Sequence, residues 1–69
     1  MPIVILDVFF IDVQLQIGIT FSTYSENLKT LTKKIPHVKW SDIHRAYYIP
    51  YSKRNQTYLF KHFNDKGYF

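Results

Sequence analysis

Residues 37–51, HVKWSDIHRAYYIPY, set Lys39, Arg45, His37 and His44 among Trp40, Tyr47, Tyr48 and Tyr51. Cations interleaved with rings are the equipment for gripping a polyanion. Cations meet phosphates, and rings offer flat faces for stacking. In an extended chain, successive side chains point to opposite faces. Trp40, Tyr47 and Ile49 therefore fall on one side and are expected in the core. Lys39 and Tyr48 fall on the other and are expected to make contact.

A second stretch supplies more contact groups. Residues 13–21, VQLQIGITF, alternate strictly. Val13, Leu15, Ile17, Ile19 and Phe21 point one way, and Gln14, Gln16, Gly18 and Thr20 the other. This period of two marks a strand with one buried and one polar face. Joined in one sheet, Gln14, Gln16, Thr20, Lys39 and Tyr48 would share the polar face. Gln pairs with adenine edges and Lys with guanine in the major groove, which is wide enough to admit β-strands. Lys33, Lys34, Arg45, Lys53 and Arg54 would hold phosphates at the rim. The same side chains also fit a sheet face that is simply solvated, and composition alone leaves both readings open.

Catalysis has little support. No GxSxG, HExxH or phosphate-binding glycine loop is present. His37, His44 and His62 lack metal-ligand spacing. No catalytic residue, metal, cofactor or small-molecule substrate is expected. His37 and His44 flank the turn region, where they either meet a phosphate or stand in solvent.

Charge agrees with a polyanionic partner. The net charge is +4, and it is unevenly placed. Residues 1–21 hold Asp7 and Asp12 and no Lys or Arg. All nine basic residues follow, against only Glu26, Asp42 and Asp65. An apolar, slightly acidic start precedes a basic remainder, which favours nucleic acid. MPIVILDVFF lacks the positive region of a targeting signal and is interrupted by Asp7. No run approaches the roughly 20 apolar residues of a membrane span, so a cytoplasmic protein without membrane contact is expected.

The elements that must position these groups follow from size and pattern. Sixty-nine residues make one domain, 1–69, without cysteine to staple it. Six Phe, six Tyr and one Trp must supply the core instead. Residues 3–10 read as a strand, followed by a turn near Ile11 and Asp12 and the strand over 13–21. Ser25 caps a helix over 25–35, with Leu28, Leu31 and Ile35 on one face and Pro36 as the stop. Residues 38–40 and 45–49 flank the turn SDIH as two short strands. Ser52 caps a second helix, with Leu59 and Phe63 aligned, Tyr58 and Phe60 widening the apolar stripe, and Gly67 marking its end. The expected class is α+β: a small antiparallel sheet, β-β-α-β-β-α in sequence, with two helices packed on one face.

The runs FSTYSENL, KKIPHVKW, RAYYIPYSK and LFKHF, in this order, resemble the N-terminal arm-type DNA-binding domain of phage-type tyrosine recombinases (integrases). The resemblance covers residues 14–69 and rests on aromatic spacing. It implies sequence-specific binding of double-stranded DNA at arm-type sites, in the service of DNA integration and recombination. It implies a longer parent protein, whose catalytic domain lies elsewhere and whose further domains associate with other recombinase protomers. Trp40, Tyr47 and Ile49 look like that family's core positions, and Lys39 and Arg45 like its basic turn positions. The family often has Trp where Tyr47 stands. The spacing is also similar to the HARP-type DNA-binding module of annealing helicases. A different reading, from the residues alone, is a protein-interaction module. Its edge strand over 3–10 would present Ile3, Ile5 and Phe9 to a partner.

Overall fold

A computed structural model describes residues 3–64. The element order is β1 (Val4–Ile11), β2 (Gln14–Phe21), α1 (Glu26–Lys33), β3 (Lys39–Ser41), β4 (Ala46–Pro50) and α2 (Lys53–Asn64). The four strands form one antiparallel sheet in the order β1-β2-β4-β3. The α+β class and the expected order of elements hold.

The β1–β2 hairpin closes through two residues, Asp12 and Val13, between the paired Ile11 and Gln14. Both have positive φ, 52° and 59°. That is the turn whose twist matches the flanking strands. Val13 thus corrects the sequence reading. It is not the first inward residue of β2 but the tip of the turn, 97% exposed.

Register sorts the faces. Val4, Leu6, Ile17, Ile19, Tyr47 and Ile49 line the side on which the helices lie. The core joins Val4, Ile17, Ile19 and Ile49 of the sheet to Leu28, Ile35, Leu59 and Phe63. Both helices therefore pack on the same face. Ser25 caps α1 by accepting the Leu28 N–H at 3.3 Å, and Ser52 caps α2 by accepting that of Asn55 at 3.0 Å. Helix α1 ends at Lys33, short of Ile35, because its last turn tightens: Ile35 N–H bonds back three residues to Thr32 O at 3.1 Å. The tightening turns Ile35 into the core, where it is buried. Thr32 is also buried, with its hydroxyl donating to Leu28 O at 2.7 Å. His62 of α2 lies 2.9 Å from Leu31 O of α1 and ties the two helices.

Two aromatic assignments on the helix side need correction. Trp40 was expected in the core but is 49% exposed, because β3 is an edge strand that neither helix covers. Its indole N–H donates instead to Asp42 Oδ1 at 2.7 Å. Tyr58 and Phe60 do not widen the buried stripe of α2; Leu59 and Phe63 alone are buried, and both flanking rings are exposed. Gly67 lies outside the described residues. No helix among the described residues is long and apolar enough to cross a membrane.

Candidate nucleic-acid interface

The face of the sheet away from the helices gathers the alternate residues of all four strands. Across it, Lys39 pairs with Tyr48, Tyr48 with Gly18, and Gly18 with Asp7. Thr20 pairs with Ile5, Gln16 with Phe9, and Gln14 with Ile11. The pleat thus brings Gln14, Gln16, Thr20, Lys39 and Tyr48 to one face, as the alternation requires.

The centre of this face is a ring that the sequence reading assigned to an edge. Phe9 lies across Gly18, so that a Cβ at that position would fall 2.3 Å from Phe9 Cε2. The ring stacks on His44 at 4.0 Å with an interplanar angle of 1°, and meets Tyr48 edge-on at 6.3 Å. Phe9, His44 and Tyr48 make an aromatic platform. The one signal for it in sequence was Gly18 itself: a glycine inside a strand marks a close approach.

Gln16 faces the expected way but is only 5% exposed. Phe9 and Pro50, its partners in register, flank it on either side. Its Oε1 has no hydrogen-bond partner among the described residues. A base edge does not reach a side chain so covered, and Gln16 leaves the contact set. Gln14, Lys39 and Tyr48 remain around a depression of about 380 Å³, with His37 at its rim. Thr20 stands half-buried beside β1, its hydroxyl 3.4 Å from Ile5 O.

Charge is not uniform over the face. Lys39 is exposed on the β3 side. Asp7 is exposed on the β1 side, with Oδ1 accepting the Val8 N–H at 2.7 Å. Asp12, at the tip of the first hairpin, lines the same depression as Lys39, so the cationic part of the face is the β3–β4 side away from that tip.

The five basic residues expected at the rim disperse. Lys33 and Arg45 line a groove on the opposite, helix-bearing side. Lys34 is exposed at the C-terminus of α1. Lys53 and Arg54 open α2, where Arg54 borders a small depression with His37 and Tyr58. None of these five joins the open face directly, although Arg45 sits in the turn next to His44. That turn is tight, and Arg45 adopts φ 54° to close it. Tyr24 donates its phenol proton to Glu26 Oε1, and this bond holds its pKa above the ordinary 10.0. Among the described residues no group of three or more His, Asp or Glu side chains could hold a metal ion.

No protein-family model, curated protein or solved structure matches this chain.

Proposed function

We propose that this chain is a duplex-DNA-binding domain of the arm type, working in the cytoplasm as part of a site-specific tyrosine recombinase. The observation that carries the reading is the Lys39–Tyr48 pair. The two residues face each other across β3 and β4 on the side of the sheet that no helix covers. With Gln14 and Thr20 they offer a cation, an amide and two hydroxyls on a surface of two or more strands. Such a surface fits the major groove, about 12 Å wide. The amide and hydroxyls address base edges, while Lys39 addresses phosphate. The resemblance in aromatic spacing supports the same reading and carries the arm-type and recombinase parts of it. Catalysis would belong to another domain of the parent protein.

Fluorescence anisotropy with a labelled duplex, titrated at several salt concentrations, tests the reading. Each phosphate contact contributes about −0.9 to the slope of log K against log salt. Absence of binding at low ionic strength, or binding indifferent to salt, would refute it.

A second reading has its own observation. β1 is an outer strand of eight residues; Ile5, Val8 and Phe10 are exposed along it, and Ile3 just before it. An uncovered apolar edge of this length is suited to pairing with a strand of another protein. Concentration-dependent association unaffected by salt, and lost in Phe10→Lys, would favour this reading over the first.

A further inference from the structure

The helix-bearing side of the sheet is not wholly covered. Between α1 and the β3–β4 hairpin lies a groove of about 600 Å³. This volume falls within the range of about 300–1,000 Å³ of small-ligand sites. Its aromatic wall is Trp40 and Tyr47, in edge-to-face contact at 4.9 Å and 65°. Its rim carries Lys29, Lys33 and Arg45. Lys29 and Lys33 are one helical turn apart and so share a side of α1. None of the three cations has an ion-pair partner among the described residues. Among the described residues no carboxylate lines the groove. The two nearby in sequence stand behind its wall, each held by a lining residue: Glu26 accepts from the Tyr24 phenol, and Asp42 from the Trp40 indole. The second of these bonds also fixes the plane of the exposed indole.

An anchored, half-exposed indole beside three cations asks for a ligand that is flat at one end and anionic at the other. We propose that this groove binds a single unstacked nucleotide of a single-stranded nucleic acid, its base against Trp40 and its phosphates on Lys29, Lys33 and Arg45. A base within a duplex is stacked on both faces and cannot present one to the indole; an unpaired base can. The site lies across the sheet from Lys39 and Tyr48 and does not depend on the duplex reading.

Trp40 is the chain's only tryptophan, so its emission reports this site alone. Titration with a short oligothymidylate quenches it, whereas thymidine or inorganic phosphate alone does so at least tenfold more weakly. Lys33→Ala and Arg45→Asn each weaken oligothymidylate binding about tenfold, asparagine being chosen because it tolerates the left-handed backbone at position 45. Trp40→Leu, followed by shifts of the Lys29 and Lys33 amide resonances, weakens it at least tenfold, and Lys61→Ala, at an exposed cation of α2, leaves it unchanged. The proposal is overturned if oligothymidylate changes neither the emission nor those resonances. It is equally overturned if inorganic phosphate matches the oligonucleotide, if the three groove variants bind like the parent chain, or if a phosphotyrosine peptide binds more tightly than oligothymidylate.

Discussion

The ring of Phe9 fills the space that a side chain at Gly18 would need, with 2.3 Å between Phe9 Cε2 and the nearest Cβ position. Real Cβ atoms do not come so close, so any larger residue at 18 must displace the ring. The ring is held by His44 on one side and Tyr48 on another. Gly18→Ala therefore breaks the platform rather than merely crowding it. We expect a loss of about 1–2 kcal/mol in urea unfolding, the scale of an overpacked site. The upfield ring-current shift that Phe9 imposes on the His44 ring protons should vanish with it. A variant of unchanged stability and unchanged His44 shifts would show that the ring moves aside freely.

Lys39 and Tyr48 are neighbours across the β3–β4 ladder but should fail differently. Lys39→Ala removes one phosphate partner, so the salt slope of duplex binding should fall by about 1 and affinity should drop for every sequence alike. Tyr48→Phe keeps the ring that meets Phe9 and removes only the hydroxyl. It should leave the salt slope unchanged and weaken some sequences more than others. Anisotropy on two unrelated duplexes separates the outcomes; identical behaviour of both variants would count against a division of labour between cation and hydroxyl.

Val13 sits at the tip of the first hairpin, 97% exposed and at φ 59°. A β-branched residue there pays about 1–2 kcal/mol for the left-handed backbone and recovers nothing by burial. Glycine removes that strain and adds back about 0.5–1 kcal/mol in lost chain freedom. Val13→Gly should thus stabilise the domain by about 0.5–1 kcal/mol, read as a higher urea midpoint at constant m-value. A lower midpoint would mean that Val13 makes a contact which outweighs its strain.

The direction of each strand residue was legible because alternation is a property of the chain itself. Coverage was not, because it depends on what other elements lie above. Trp40 and Gln16 fail in mirror image. Trp40 points to the helix side yet stays exposed, since the helices stop short of edge strand β3. Gln16 points to the open side yet is buried, since Phe9 and Pro50 flank it across neighbouring strands. The pairing of β2 with β4 leaves no mark in the sequence, so Pro50 could not be read as a neighbour of Gln16, and Phe9 could be only once the turn is placed at Asp12 and Val13. The same holds for the groove of Lys33 and Arg45, which depends on where α1 settles against β4. Lys39 and Tyr48 were legible together because a short hairpin fixes their pairing locally.

The core on which both faces depend is small. Phe63 and Leu59 of α2 are fully buried against Ile17, Ile19 and Ile49 of the sheet, with Leu28 of α1 in the same cluster. At about 0.05–0.15 kcal/mol per residue, a chain of 69 residues has a total stability of roughly 3–10 kcal/mol. Truncating a buried Phe to Ala costs about 3–5 kcal/mol. Phe63→Ala should therefore consume a large part of that total and leave the domain partly unfolded near 37 °C. Phe60→Ala, one turn position away but on an exposed ring, should cost far less. Circular dichroism melts of the two variants check the contrast. Equal losses would mean that α2 is rotated about its axis from the orientation described, and that the buried stripe runs through Phe60 as well.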